Sequence, residues 1–423
     1  MRLSDIELRL LESLDQRALV DDLVRLVQMP SVTGTDAESE LQHERSTMLS
    51  DLGFAVDAWK LDLAELCAHP DYPGAEAPRT EGYGVVGALG DGKPALVLQG
   101  HVDVVPTGDL DKWQNHDPFS GSIANGVLHG RGACDMKAGL AANFAVARAI
   151  ARSGVRLERA FAIHSVVSEE DGGLGAFATM LRGHTAEAAV LTEPTSGRIV
   201  TANAGALTFE IRVAGRAAHG STRLEGVNAL DAFLPIYARL HELERERNAV
   251  PVPLFLDTAL PYPISVGRVT AGDWASSVPD LLIAEGRLGV ALGEPIADAR
   301  AALHNAVAEA CASDPWLRDN PAEVTWPGGQ FASGRIAQDH PFIDQVSSAI
   351  TDLDGREAPS LSAAPYGSDL RLYSGLGGIP TLHYGPGDVR FAHAPREQVP
   401  IAELIAVAQS MLVLAARRCG AHF

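Results

Sequence analysis

The chain reads as an α/β protein: an open mixed sheet with helices on both faces, interrupted by a smaller ferredoxin-like α+β insert. Three observations predict this. Short, mainly apolar runs alternate with segments of helical periodicity through the N-terminal half. Near Ala206 the texture changes to half-exposed strand alternation, and near Ala332 the first texture returns. Between those points the segments follow the order β-α-β-β-α-β. The boundaries that result are 1–205 together with 332–423 for the larger domain, and 206–331 for the insert.

The elements follow in chain order. Leu8–Gln28 carries helical periodicity, Met29–Gly34 breaks it, and Asp36–Leu52 resumes it. Ala68–Gly84, rich in Pro, Gly and Ala, reads as loop. Ala95–Gly100 is an apolar run of the kind that a doubly covered strand needs. A polar loop covers Pro106–Gly132, then come a small-residue helix at Ala138–Ser153 and a buried strand at Ala160–Val167. Ala176–Leu181 is helical and Ala188–Leu191 is again a strand. In the insert, strands are expected at Leu207–Val213, Ile264–Val269, Leu281–Val290 and Ala322–Trp326, with helices at Gly226–Arg247 and Ile296–Ala312. The return leg holds helices at Pro341–Leu353, Asp369–Ser374 and Ile401–Cys419 and a strand at Pro380–His383.

Composition narrows the function. The 423 residues carry 34 basic against 54 acidic side chains, a net charge of −20, with 46% hydrophobic residues. A large core is available, and so acidic a chain repels phosphate backbones and anionic lipids, which argues against nucleic acid and membrane as partners. No apolar stretch reaches the roughly 18 residues of a spanning helix, and no signal-peptide pattern opens the chain, so a cytoplasmic location is expected. Cys67, Cys134, Cys311 and Cys419 form no CxxC pair, which points away from thiolate metal sites and disulfides.

Five short segments carry potential chemistry. Gly100-His101-Val102-Asp103 ends a buried strand; residues two apart face one side, so Asp103 could fix the His101 ring as a metal ligand or merely cap the strand with it. In His129–Lys137 the small residues bring the backbone close, and Asp135 is either a helix N-cap or a carboxylate with two oxygens for two cations. Ser168-Glu169-Glu170-Asp171 follows a strand. Adjacent side chains diverge, so one Glu could ligate while the other reaches a water, or the whole is a solvated acidic turn. Thr192-Glu193-Pro194-Thr195 and Phe391-Ala392-His393 complete the set. Their common placement at strand or loop ends is the stronger signal, because open sheets gather ligands at the carboxyl edge of their strands. Two His and three carboxylates suit a pair of cations such as zinc.

Taken together, GHVD, GRGACDMK, SEED, TEPT and AHAPRE resemble the dinuclear-zinc amidohydrolase and peptidase family of acetylornithine deacetylase, succinyl-diaminopimelate desuccinylase, aminoacylase and glutamate carboxypeptidase. The resemblance spans nearly the whole chain. It implies a zinc-peptidase-like catalytic domain and an insert that serves as a dimerisation (lid) domain. It implies two Zn2+ per subunit, with Co2+ or Mn2+ as substitutes. Asp135 would bridge the pair, His101 and Glu193 would complete one site, and Glu170 and His393 the other. Glu169 would be the general base and Asp103 the residue that orients His101. A cis peptide is implied at Asp135–Met136. His219, in the insert, would reach the partner's site in a homodimer formed through 206–331 and hold the developing oxyanion. Arg371, with Gly367 and Ser368, and Arg287 are the candidates for a substrate carboxylate. The implied activity is removal of the acyl group from a small N-acyl amino acid. A dipeptidase or carboxypeptidase using the same machinery is the alternative, and a catalytically silent binding protein on this fold is a third, which all six filled positions disfavour.

Overall fold

In the computed structural model, residues 3–353 and 357–423 are described. The chain divides into two compact units, Met1–Ala202 with Arg335–Ser362 and Ser368–Phe423, and Asn203–Gly334 with Ala363–Gly367.

The larger unit is built on a nine-stranded mixed sheet. Its centre is parallel: Leu96–His101 lies between Phe161–Val166 and Ala189–Leu191, and Thr381–His383 continues beyond the last. Every residue of these four strands is buried, which is why they read as predominantly apolar runs rather than alternating ones. Ala55–Lys60 and Tyr83–Leu89 extend one side antiparallel. Neither was expected from sequence; the first is an edge strand with no residue fully buried, so it lacks the apolar run that marks the central ones. Helices cover both faces. Ser165 bonds Gln42 of the helix Asp36–Asp51, while its neighbour His164 points the other way to Tyr373 in the short turn Leu372–Leu376.

The expected helix Leu8–Gln28 is two helices, Asp5–Glu12 and Gln16–Gln28. Asp15 ends the continuity by capping the second, its Oδ1 accepting the Ala18 amide at 2.9 Å. The polar loop after Pro106 also holds more structure than expected. Ser122–Ala124 and Val127–His129 form a hairpin, joined by Gln398–Pro400 from the far end of the chain.

The second unit has a separate apolar core. Its sheet runs Ile264–Ala271, Leu281–Val290, Gly205–Ala214, Glu323–Thr325, all antiparallel, with helices Ala229–Arg247 and Ile296–Ser313. This is the ferredoxin-like order, and the alternating burial of Gly205–Ala214 is that of a sheet with one covered face. No helix among the described residues is long and apolar enough to cross a membrane.

Candidate functional site

The carboxyl ends of the parallel strands converge at one edge of the larger unit. Leu96–His101 delivers His101 as its last residue, Phe161–Val166 leads into Glu169 and Glu170, and Ala189–Leu191 leads into Glu193. Asp135 enters from an irregular turn, Ala133–Lys137, and the Asp135–Met136 peptide is cis. His393 follows the short turn Val389–Phe391. Ser168 and His393 hold φ of 64° and 58°, a left-handed conformation that costs a non-glycine residue about 1 kcal/mol or more and that functional sites tolerate when neighbours enforce it.

Distances join these side chains into one cluster. His101 Nε2 lies 3.5 Å from Asp135 Oδ1, 3.9 Å from Glu193 Oε1 and 3.9 Å from Glu169 Oε2. His393 Nε2 lies 3.4 Å from Asp135 Oδ2 and 3.0 Å from Glu170 Oε2. Asp135 therefore presents one oxygen to each imidazole. Two overlapping groups, His101–Asp135–Glu170 and His101–Glu169–Glu193, have ligand atoms within 4.8 Å of one another.

The electrostatics fit cations. Four carboxylates crowd two imidazoles, and His101 Nε2, Glu170 Oε1 and Glu193 Oε1 are buried without a hydrogen-bond partner. Burial, reinforced by Glu193, drives the Glu169 carboxyl well above its ordinary range. Burial does the same for Glu193, with Asp135 and Asp369 adding to it against His101. Glu170 beside it pushes His393 up to about 11. Burial would raise Asp135, yet the flanking His101 and His393 hold it below the usual carboxylate range. Protons and ion pairs are here standing in for positive charge, and a borderline-hard divalent ion suits this mix of imidazole nitrogen and carboxylate oxygen.

A supporting layer fixes the cluster. His101 Nδ1 bonds the backbone carbonyl of Asp103 at 2.9 Å, while the Asp103 carboxylate stands 3.5 Å away. The expected carboxylate–imidazole bond is thus replaced by a carbonyl one. The Asp103 carboxylate instead accepts the Glu169 and Glu170 amides at 3.2 Å each and the Thr33 hydroxyl at 3.0 Å. It orients the ring through its backbone and the two glutamates through its side chain. Behind it, Asp171 accepts the Ser168 hydroxyl, the Ala77 amide at 3.0 Å and Arg79 at 3.2 Å. Glu397 pairs with Arg131 at 2.6 Å and accepts the Asp135 amide at 3.1 Å.

The other anticipated residues are placed as follows. Arg371 is buried and donates to the carbonyls of Ser368 at 2.8 Å and Gly172 at 2.6 Å, and burial lowers it to about 10. Ser368 Oγ meets His383 Nε2 at 3.0 Å and accepts the Leu370 amide at 3.2 Å. Gly367, His219 and Arg287 belong to the second unit. His219 is exposed and caps the turn Gly220–Glu225, its Nδ1 accepting the Ser221 amide at 3.2 Å. Arg287 is exposed on Leu281–Val290, opposite Thr208 and Ser265. Sequence reasoning missed Thr33, Arg79, Arg131 and Glu397. The last two stand inside quoted motifs, so proximity to Asp135 and His393 was the available signal; Thr33 and Arg79 carry no local signal.

Comparison with known proteins agrees with this geometry. Residues 97–417 match Peptidase family M20/M25/M40. The chain is 29% identical to the N-formyl-4-amino-5-aminomethyl-2-methylpyrimidine deformylase of Bacillus subtilis over 388 residues, 84% of either chain. It is 26% identical to the acetylornithine deacetylase of Proteus mirabilis over 393 residues, covering 89% of this chain and 91% of that one. The solved structure of the dipeptidase Dug1p from Saccharomyces cerevisiae superposes with a TM-score of 0.77 at 14% identity, over 98% of both chains. The His and carboxylate cluster at one sheet edge is consistent with a metal site, and the matched span, which takes in both units, makes this chain a member of Peptidase family M20/M25/M40, a metal-dependent hydrolase of amide bonds.

Proposed function

We propose that the chain is a dinuclear zinc deacylase that frees the amine of a small N-acyl amino acid or a closely similar amide. The observation that carries this is Asp135, one of whose oxygens lies 3.5 Å from His101 and the other 3.4 Å from His393, with Glu193 3.9 Å from His101 and Glu170 3.0 Å from His393. Relatives named as a deformylase and a deacetylase cover most of this chain, which supports acyl-group removal over peptide cleavage. The dipeptidase likeness, at 14% identity, concerns the fold.

When bound, the cation pair would polarise the amide carbonyl and make a water acidic enough to serve as nucleophile near neutral pH. Glu169 takes the proton of that water as the C–O bond forms, and gives it to the leaving nitrogen as the C–N bond breaks. Its burial keeps the carboxyl basic enough to accept the proton. Asp103 holds the Glu169 and Glu170 amides so that one carboxylate serves as base and the other as ligand. His219 is assigned to the oxyanion, supplied by the second subunit of a homodimer formed through 206–331. Leu230, Leu234 and Tyr237 leave apolar surface exposed on the insert helix, which supports such a dimer. Arg287 and Arg371, with Gly367 and Ser368, are assigned to the substrate carboxylate. A cytoplasmic location completes the reading.

The test is a substrate panel run on protein of measured metal content. N-formyl, N-acetyl and N-succinyl amino acids are compared with dipeptides after loading with Zn2+, Co2+ or Mn2+. The proposal expects two equivalents bound and the highest kcat/KM on an N-acyl substrate. Faster turnover of dipeptides moves the enzyme to the peptidase branch, and fewer than two equivalents removes the dinuclear site.

A further inference from the structure

We propose that Glu397, paired with Arg131, is a positioning residue that sets Asp135 between the two imidazoles; this rests on reading Asp135 as the shared cation ligand. Glu397 and Arg131 are 1% and 2% exposed, so their contact is a buried ion pair, Oε2 to Nη1 at 2.6 Å. The other Glu397 oxygen accepts two consecutive amides, Cys134 at 3.2 Å and Asp135 at 3.1 Å. Those amides belong to the turn whose next peptide is cis and whose Asp135 side chain reaches His101 on one side and His393 on the other.

The backbone holds Glu397 in place independently of its side chain. Its carbonyl accepts the Gly130 amide at 3.0 Å, and the following residues Gln398–Pro400 pair in register with Val127–His129. Arg131 is fixed in turn by the Pro106 carbonyl at 3.2 Å and by Trp113, whose ring lies 5.0 Å from the guanidinium. The pair therefore forms a rigid post beneath the Asp135 turn.

The chemistry asks for a carboxylate here. An acceptor-only group with two oxygens can serve two converging amides on one and a guanidinium on the other; an amide side chain would turn an NH2 group toward Arg131. The placement also couples two elements of the site. Glu397 follows His393 by four residues, so one short segment carries both a ring facing Asp135 and the group that holds the Asp135 backbone. Partners of this kind, one step behind the ligands, typically change metal affinity by about 10–100-fold when removed.

The experiment titrates the full chain, stripped of metal, with Co2+, reading stoichiometry and affinity by calorimetry and the site by its visible absorption, with circular dichroism confirming the fold at the same temperature. Glu397→Ala is expected to bind Co2+ about 10–100-fold more weakly than wild type, with an altered absorption band. Glu397→Gln, which keeps one oxygen for the two amides, is expected to recover part of that loss. A Glu397→Ala protein that melts lower but binds two Co2+ with wild-type affinity and spectrum overturns the proposal and leaves only a structural ion pair. Should Glu397→Ala not fold, Glu397→Gln decides on the same titration, and wild-type affinity in it overturns the proposal. Wild-type protein that takes up no cation pair overturns the dinuclear reading itself, a failure distinct from the other two.

Discussion

Gly139 lies in the first turn of the helix Ala138–Ser153, where alanine would ordinarily stabilise by about 1 kcal/mol. At this position the sign should reverse. A Cβ on Gly139 would stand 1.9 Å from the Thr192 carbonyl oxygen, whereas ordinary contact begins at 3.4 Å, so helix and strand end must part by about 1.5 Å. Thr192 has little room to yield. Its amide donates to the Gln99 carbonyl at 3.2 Å, its hydroxyl accepts Asn143 at 2.9 Å, and Gly385 packs against its other side. Overpacking of this kind costs about 1–3 kcal/mol. The next residue is Glu193, so the displacement reaches the His101–Asp135–Glu193 side of the cluster, where a misplacement of about 1 Å can cost about 10²-fold in rate. The assay is urea unfolding of Gly139→Ala beside wild type, with Zn2+ stoichiometry measured on both. The expected result is a lower midpoint and weaker retention of one cation. A variant as stable as wild type, or more so, with both cations held, would refute the claim that this glycine sets the approach of helix to strand end.

Other expectations follow from single side chains. Glu169→Gln should lower kcat by about 10²–10⁴-fold while the metal content stays at the wild-type level; full activity with intact metal removes it as the base. His164 is buried, and burial with the nearby His184 lowers it to about 3 from an ordinary 6.5. The folded protein then stays unprotonated where the unfolded chain binds a proton, so this residue's contribution is full above pH 6.5 and is lost as pH falls toward 3, by about 1.4 kcal/mol per unit. His164→Phe should flatten the acid side of a stability–pH curve by that slope, although it costs the Tyr373 contact at 2.8 Å; an unchanged slope contradicts the assignment. Cys134 is buried, with burial and Glu397 pushing its thiol up, and its Sγ stands 3.7 Å from the Asp388 carbonyl. A thiol held protonated is no nucleophile, so Cys134→Ser should retain kcat, as a direct rate comparison will decide.

The sequence by itself determined the class of the fold and named the candidate residues for a metal site. Mostly apolar strands are legible because both faces of the central sheet are covered, and the strand–helix alternation follows from that burial. The insert was legible because one covered face imposes a period of two on Gly205–Ala214. His101, Glu169, Glu170 and Glu193 stood out because charged groups at or just after buried strands are costly unless something offsets them, whereas Asp135 and His393 stood out through the motifs GRGACDMK and AHAPRE. Tertiary structure alone decided what those groups face and what holds them. The edge strand Ala55–Lys60 and the hairpin joined by Gln398–Pro400 have no strong local pattern, since pairing partners distant in the chain make them. That Asp103 grips the glutamate amides rather than the imbedded imidazole, and that Glu397 rather than a neighbour carries the Asp135 amide, depends on segments as far apart as residues 135 and 397 meeting at hydrogen-bond distance. Local sequence constrains backbone preference and burial; the partner of a buried polar atom is fixed only when the packed chain excludes water and leaves it a single place to bond.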